Sequence, residues 1–224
     1  AIGIFHWVLG DDNYRFHDHE KLAHYADAAC DIEFKFPFGF NELEGIHSRT
    51  DFDLSNHEKF SGKKLKYFDT EKNESYTPFV LETSIGLDRM FLAIFTSSLN
   101  YDKLEDSSER VVLKIPSILA PYKCAFLPLL KKDGLPEITK KIQKKLKLNF
   151  STAYDEKDAI GRRYRRQDAI GTPYCITVDH QTVTDNTVTI RERDSMNQER
   201  IHIDKLEEFL RSSLNINNWL LNSA

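Results

Sequence analysis

The segment LETSIGLDRMFLAIFTSS, residues 81–98, joins a short extended run to an amphipathic pattern. In its second part apolar residues recur at positions i, i+3, i+4 and i+7, namely Leu87, Met90, Phe91 and Ile94. This spacing places the four residues on one stripe of a helix. We therefore predict a strand that leads into a helix from Gly86 to about Leu99, with the apolar stripe in the core.

Three polar side chains surround this strand-to-helix corner. Side-chain alternation puts Glu82 and Ser84 on one face of the strand, and Arg89 falls in the first turn of the helix, about opposite the apolar stripe. A carboxylate can hold an ammonium group, while an arginine and a helix N-terminus hold anionic oxygens. The corner suits a small zwitterion beside a phosphate, with Glu42 and Glu44 on one face of another strand as further acids. A helix cap and a solvated ion pair are the simpler interpretation of the same residues.

The other elements of the first part follow from periodicity. We expect, in chain order, a helix over 18–29, strands over 32–36 and 40–46, a short helix that begins near Asp53 or Ser55 and ends at Gly62, and a hairpin of 65–68 and 76–82.

The second part alternates strand and helix patterns. We expect strands over 111–115 and 123–129, a lysine-rich helix over 135–147, a strand over 150–154, a helix over 159–169, strands over 174–178, 187–191 and 200–203, and a closing helix from Asp204 to about Leu214. Interleaved helices and strands indicate a compact α/β module.

The composition is that of an ordinary globular protein, with 40% hydrophobic and 29% charged residues in 224. It excludes disordered and fibrous classes. The longest strictly apolar run, 90–95, is far shorter than the ~18 residues of a membrane span, so no membrane partner is expected. Three separated cysteines without a CxxC pair argue against a disulfide framework or a zinc site and favour a cytoplasmic setting. The first ten residues have helical spacing but no initiator Met, so we expect a segment of a longer protein.

The charge is divided unevenly along the chain. Residues 1–100 hold 10 Lys/Arg against 17 Asp/Glu, whereas residues 101–224 hold 21 against 18. The change coincides with NYDKLEDSSE, residues 100–109, which lacks apolar periodicity and is typical of a linker. We therefore predict two domains, 1–105 and 106–224. The acidic part could hold a cationic ligand and the basic part a polyanion, although solvated surfaces explain the charge equally well.

One segment of the second part combines basic and aromatic residues. IGRRYRRQDAIGTPY, residues 160–174, places four arginines around Tyr164, a mixture that contacts phosphates and stacks on unpaired bases. The lysines of residues 138–147 are better explained as a solvated helix face. His17, His19 and His24 are better explained as exposed or capping residues than as metal ligands, so no metal site is predicted.

Four longer strings resemble the C-terminal half of the class II, homodimeric glycyl-tRNA synthetases, over essentially the whole chain. They are DHEKLAHYADAACDIEFKFPFGFNELEGIHSRTDFDL (18–54), YTPFVLETSIGLDR (76–89), LAPYKCAFLPLLKKDG (119–134) and IGRRYRRQDAIGTPYCITVD (160–179). ETSIGLDR, residues 82–89, matches the family's third motif, E-P-S-x-G-x-x-R, with Thr83 in place of the usual proline and its rigidity. The resemblance implies an α/β (α+β) chain, in which the end of an antiparallel-sheet catalytic domain precedes a mixed-sheet α/β anticodon-binding domain.

The resemblance also implies roles for individual residues. Glycine would be bound by Glu82, which takes its ammonium group, and by Thr83, Ser84, Ile85 and Gly86. ATP would be bound by Glu42, Leu43, Gly86, Leu87, Asp88 and Arg89. The tRNA would be bound by Arg162, Arg163, Tyr164, Arg165 and Arg166. No catalytic residue is expected, because the reaction requires no protein nucleophile.

The activity that the resemblance implies is glycine–tRNA ligation through glycyl-adenylate. The partners would be glycine tRNA, glycine, ATP with Mg²⁺ and a second copy of the intact enzyme, whereas this segment would be monomeric, hold no tight cofactor and be inactive alone. The family's first two motifs would precede Ala1. A non-catalytic accessory nucleic-acid-binding subunit of the same origin and a generic α/β interaction domain stay open as alternatives.

Overall fold

The computed structural model describes residues 11–104 and 107–217. The chain forms two compact units, Ala1–Ser97 and Ser98–Ala224. The predicted interrupted element at residues 1–10 lies outside the described residues. No helix within the described ranges is long and apolar enough to cross a membrane.

The first unit is built on a four-stranded antiparallel sheet. Its strands, in spatial order, are β1 (Tyr14–Asp18), β2 (Ala28–Phe36), β3 (Gly39–Ser48) and β6 (Leu81–Ile85). Helix α2 (Leu87–Ser98) follows β6 directly and packs through Ala93 on one face of the sheet, against Ile32, Phe34 and Phe36 of β2. The predicted strands and the predicted strand-to-helix transition are therefore confirmed.

The part of α2 that faces the core differs from the predicted stripe. Met90 and Ile94 pack on the sheet as predicted, but Leu87 and Phe91 are 83% and 67% exposed. The helix carries apolar residues around most of its circumference, so the 3.6-residue period could not identify the packed face.

Two further expectations for this unit are wrong in part. Residues 18–29 hold no helix, because the chain turns back to pair Asp18 with Cys30, and strand pairing overrides the helix propensity of the alanines. The hairpin is shorter than predicted, with β4 (Tyr67–Asp69) and β5 (Glu74–Tyr76), because residues 81–85 join the main sheet instead. Helix α1 (Phe52–Ser61) ends at Gly62, as predicted, where φ is 70°.

The segment predicted as a linker forms a hairpin. Strands β7 (Leu99–Lys103) and β8 (Glu109–Leu113) pair antiparallel in the second unit. β8 overlaps the strand predicted over 111–115, although it also buries the charged Arg110, which is 2% exposed. The less exposed positions of β7 are the polar Asn100 and Asp102, so the hydrophobic pattern did not reveal that strand.

The second unit contains a five-stranded mixed sheet, which confirms the predicted fold class. Its strands, in spatial order, are β10 (Thr152–Tyr154), β9 (Cys124–Pro128), β11 (Tyr174–Val178), β12 (Thr187–Glu192) and β13 (Gln198–His202). β9 pairs parallel with both β10 and β11, whereas β12 pairs antiparallel with both β11 and β13. Its helices are α3 (Leu135–Leu146), α4 (Ile160–Ala169), α5 (His180–Asp185) and α6 (Leu206–Ser213). Of these helices, sequence patterns missed the short α5, which Asp179 starts with a capping box.

Candidate functional site

The sheet of the first unit has a polar face opposite the face that packs on α2. The strand registers place His17, Asp31, Gly45 and Ser84 in one cross-strand row. In the next row, His47 lies directly opposite Glu82. Because residues paired across strands share a face, Glu82 and Ser84 lie on the polar side, as alternation predicted.

Gly45, which has no side chain, leaves a depression in the middle of this polar face. A Cβ atom at this position would lie 3.2 Å from the His47 ring and 3.5 Å from carboxylate oxygens of both Asp31 and Glu42. Any longer side chain would have to displace these groups. The glycine therefore leaves a shallow, acid-lined region beside Ser84.

Glu82 is held by an arginine that the sequence analysis did not identify. An Nη1 of Arg49 lies 2.7 Å from Glu82 Oε2, and the same guanidinium donates to Asp53 from Nε at 2.6 Å and from Nη2 at 3.1 Å. The central carbon of this guanidinium, Arg49 Cζ, lies 4.1 Å from the ring centre of Tyr25. The hydrogen bond to Asp53 raises the pKa of Arg49 and lowers that of Asp53, so both stay charged.

Arg89 reaches from the first turn of α2 to Glu42 on β3. Its Nη1 donates to the Glu42 carbonyl oxygen at 2.5 Å and lies 3.4 Å from the Glu42 carboxylate. Both side chains are about half exposed. The corner therefore combines an anchored guanidinium, a helix N-terminus and a carboxylate that solvent can reach.

A β-bulge changes the expected arrangement of the acids on β3. Ile32 pairs with Glu44 and Glu33 pairs with Glu42, so Leu43 is the extra residue. Glu44 thus lies opposite Ile32 on the face that packs on α2, and the prediction that it shares a face with Glu42 is wrong. Leu43, expected at the ATP site, is 1% exposed and packs in the core.

The remaining residues of the third motif surround the same corner. Thr83 pairs with Ile46 and Ile85 with Glu44, so both lie on the side opposite Glu82. Asp88, Leu87 and Gly86 are exposed at the start of α2. A Cβ at Gly86 would lie 3.8 Å from the Arg89 side chain, an ordinary contact, so the protein itself leaves room there.

The three histidines have partners of different kinds. His19 Nε2 lies 2.8 Å from Asp31, and His17 Nδ1 lies 4.0 Å from Glu33. His24 packs edge-on against Tyr25, with ring centres 5.2 Å apart. The described residues contain no group of three or more metal-ligating side chains that could hold an ion.

Helix α4 of the second unit turns part of the predicted RNA-binding segment inward. Arg163 is 3% exposed and donates hydrogen bonds to the carbonyls of Pro128 and Leu129. The Tyr164 hydroxyl lies 2.7 Å from Thr177 Oγ1, and burial raises the pKa of Tyr164. These contacts give both residues a structural role in the helix–sheet interface, which is not the solvent-facing position that phosphate contact and base stacking require.

The other arginines of α4 face solvent. Arg165 donates to the Glu109 carbonyl at 3.0 Å, and Arg166 is paired with Asp155 at 2.7 Å and with Asp158 at 2.9 Å. Arg162 is exposed, and no carboxylate of the described residues forms an ion pair with it. The outer face of α4 therefore carries the positive charge that sequence analysis assigned to the whole segment.

The inner face of α4 carries a buried ion network that sequence analysis missed. Asp168, fully buried, accepts hydrogen bonds from Arg191 at 2.8 and 3.1 Å and from Arg110 at 3.2 Å. Arg110 also donates to Asp102 at 2.6 Å, and hydrogen bonds from Lys114 and Arg110 lower the pKa of Asp102. The network joins α4 to β8 and β12.

Comparison with known proteins places these two units in context. A glycine–tRNA ligase from Borrelia hermsii is 48% identical over 219 residues, which are 95% of this chain and 49% of the relative. The chain is homologous to the glycine–tRNA ligases. A second ligase, from Chlorobaculum tepidum, is 50% identical over 94% of this chain and 46% of its own length, so the chain spans about half the length of these relatives.

The second unit contains the region of a more general match. Residues 123–213 match the family described as an anticodon binding domain. A crystal structure titled as the RNA binding domain of threonyl-tRNA synthetase from Cryptosporidium parvum Iowa II superposes with a TM-score of 0.61 at 20% identity, over 85% of this chain and 44% of that one. That likeness supports the fold.

Proposed function

We propose that the chain is part of a glycine–tRNA ligase, with the first unit supplying part of the glycyl-adenylate site and the second binding the anticodon of glycine tRNA. The observation that carries this proposal is the corner between β6 and α2, where Glu82 and Ser84 lie on the polar face of β6 and Arg89 donates to Glu42. The similarity to glycine–tRNA ligases over 95% of the chain supports glycine and ATP as the ligands.

Glu82 is the group that binds the ammonium of glycine in this proposal. Arg49 engages its Oε2, which orients the carboxylate and leaves Oε1 for the ligand. Ser84 adds a hydroxyl, and Gly45 in the same row leaves space. Because glycine has no side chain to recognise, selectivity rests on binding its charged ends and excluding larger amino acids.

Arg89 and the start of α2 bind the phosphates of ATP. A carboxylate oxygen of glycine attacks the α-phosphorus and pyrophosphate leaves. The terminal hydroxyl of the tRNA then attacks the carbonyl carbon of the resulting glycyl-adenylate, takes the glycyl group and releases AMP. The residues contribute alignment and charge stabilisation, and none acts as a nucleophile. Mg²⁺ bound with ATP would neutralise part of the phosphate charge, and the half-exposed carboxylate of Glu42 is an oxygen ligand of the kind that would hold this ion.

The second unit binds RNA through the outer face of α4. Arg162, Arg165 and Arg166 are the proposed contacts, since Arg163 and Tyr164 belong to the interior. Arg165 bonds to the neutral oxygens of Glu109 and Ser108, which leaves its charge for a phosphate.

The anticodon assignment is tested with the purified chain. Binding to glycine tRNA and to the same tRNA with a foreign anticodon is measured across a salt series, because phosphate contacts respond to salt and base contacts to the exchange. Loss of affinity on the exchange supports the proposal. Equal and equally salt-dependent binding of both tRNAs contradicts it.

The glycine assignment is tested in the longer ligase. Glu82→Gln is expected to raise KM for glycine by about 10- to 100-fold, because a charge-assisted hydrogen bond is lost. Glu208→Gln, an exposed change on α6, is the matched control and should change neither the KM for glycine nor the KM for ATP. We expect no pyrophosphate exchange by this segment alone. A longer protein that binds the tRNA but never charges it would favour the accessory subunit.

A further inference from the structure

A basic and aromatic surface of the first unit is unused by the proposed glycyl-adenylate site. We call it the lysine–aromatic patch; it consists of Tyr67 and Tyr76, which are paired in one ribbon, and of the lysines that precede this ribbon in the chain, Lys59, Lys63, Lys64 and Lys66. Residues 1–100 have a net charge of −7 from 10 Lys/Arg and 17 Asp/Glu, yet residues 59–68 contain four lysines and no acidic residue. The patch thus opposes the charge of its surroundings.

The aromatic side chains of the patch are presented to solvent. Tyr67 and Tyr76 are 54% and 44% exposed, while Phe68, 51% exposed, lies on the other face of the ribbon. Tyr67 and Tyr76 pair across β4 and β5, with ring centres 5.8 Å apart. Among the strands that the structure describes, β4 and β5 pair only with each other, and a two-stranded ribbon of this length is marginal by itself. Large apolar area on such a ribbon indicates a binding surface.

The loop that carries the lysines is tied to the end of α1. Glu58 accepts hydrogen bonds from Gly62 N through its carbonyl, at 2.9 Å, and from Leu65 N through its carboxylate, at 3.3 Å. Across the ribbon, Asp69 accepts from the Glu71 and Lys72 amides at 2.9 and 3.1 Å. The neighbouring acids therefore support the backbone. No carboxylate within residues 11–104 forms an ion pair with the patch lysines.

We propose that the lysine–aromatic patch binds the unpaired 3′ end of the tRNA, an inference that rests on the proposed function. Ammonium groups contact phosphates, and exposed rings stack on bases that are not paired. A surface covered by folded protein would be depleted of lysine, and a duplex offers no free base to stack on, so a single strand fits best.

The position of the patch along the chain agrees with this ligand. Tyr76 precedes Glu82 by six residues, so the two lie no more than about 20 Å apart even along an extended chain. The terminal hydroxyl of the tRNA must reach the glycyl group that Glu82 holds in the proposed reaction. A strand bound at the patch would approach that group over a few nucleotides.

The test uses the complete 224-residue chain and two RNA probes. One is a minihelix of the glycine tRNA acceptor stem with its unpaired 3′ end, and the other is the anticodon stem-loop. We expect Lys63→Glu/Lys64→Glu/Lys66→Glu to weaken minihelix binding by at least tenfold and to reduce its salt slope by about 2, with the stem-loop unaffected. Tyr67→Ala should weaken it by about tenfold. The matched control, Lys141→Glu/Lys144→Glu/Lys145→Glu, makes the same charge change on exposed residues of α3 and should leave minihelix binding unchanged.

Each outcome has a separate meaning. Minihelix affinity that is insensitive to the patch variants overturns the inference, while intact stem-loop binding leaves the proposed function standing. Equal weakening for a blunt duplex without the 3′ end, or for vesicles of anionic lipid, with no effect of Tyr67→Ala, also overturns it and leaves a general polyanion surface. Failure of the stem-loop to bind contradicts the proposed function. Because every substituted side chain is exposed, far-ultraviolet circular dichroism should confirm an unchanged fold.

Discussion

Replacing Asp168 with asparagine tests whether the buried network holds α4 in place. The carboxylate is fully buried and accepts from Arg191 at 2.8 and 3.1 Å and from Arg110 at 3.2 Å. In Asp168→Asn one oxygen becomes an NH₂ donor that faces a guanidinium, and two buried arginines lose their shared anion. Breaking a buried pair in this way typically costs about 3–5 kcal/mol. For a domain of this size, that lowers the midpoint of thermal unfolding by about 10–20 °C.

The assay is thermal unfolding followed by circular dichroism, with amide hydrogen exchange to assign the transition to the second unit. Asp158→Asn, which removes a partner of the solvent-facing Arg166, is the control and should shift the midpoint by no more than about 2 °C. The reasoning is refuted if Asp168→Asn unfolds as the control does. Replacing Arg110, Asp168 and Arg191 together with apolar residues should restore much of the loss, because the cost lies in unpaired charge.

Three further changes have defined outcomes. A hydrogen bond from Arg200 lowers the pKa of Asp179 to about 2, below its usual 3.8. The pair therefore stabilises the second unit above about pH 4, and this stability is lost as the pH falls toward 2. In urea unfolding, the free energy of unfolding of Asp179→Asn should fall by about 1–2 kcal/mol less than that of the parent over this pH range. Gly171→Ala should destabilise the second unit by about 1–3 kcal/mol, because φ is 82° and a Cβ would lie 2.9 Å from Ile115. Gly161→Ala, where a Cβ would meet open space on α4, should instead stabilise it by about 0.5–1 kcal/mol, and thermal unfolding measures both changes. Arg49→Lys loses the planar guanidinium that contacts Glu82 and Asp53 at the same time. Kinetics of the longer ligase should therefore show KM for glycine raised about tenfold and KM for ATP unchanged. Equal changes in both KM values would contradict an orienting role for Arg49.

Patterns predicted those elements whose two faces differ clearly in polarity. Ile32, Phe34 and Phe36 alternate with charged residues, and β2 contains all three. The same rule failed at β7, where the less exposed positions are the polar Asn100 and Asp102. Residues 18–29 were wrongly predicted as a helix, because pairing between β1 and β2 outweighs the preference of alanine. Local sequence does not contain the tertiary partner that decides such cases.

The candidate site was predictable where it follows one strand and one helix. Glu82, Ser84 and Arg89 belong to a contiguous motif, and their arrangement follows from alternation and helix geometry. Arg49 lies outside that motif, and its approach to Glu82 depends on pairing of its backbone with Val80. The bulge at Leu43 likewise shows only in the register of β2 with β3.

The orientation of α4 could have been predicted by anchoring its helical period on Ile160. Residues three, four, seven and eight positions later share that face, and they include Arg163, Tyr164 and Asp168. A segment rich in charge was instead treated as uniformly external. Burial of an arginine becomes favourable only when carbonyls such as those of Pro128 and Leu129 converge on it.

The division of α4 into two faces has a consequence for how this lineage can change. Selection for a stable fold acts on the inward residues, including Arg163 and Asp168, whose neighbours would have to change with them. Arg162 and Arg165 touch no buried charge, so mutations there carry little folding penalty. RNA preference could therefore drift or be re-engineered on the outer face, one residue at a time, while the inner face keeps the domain intact.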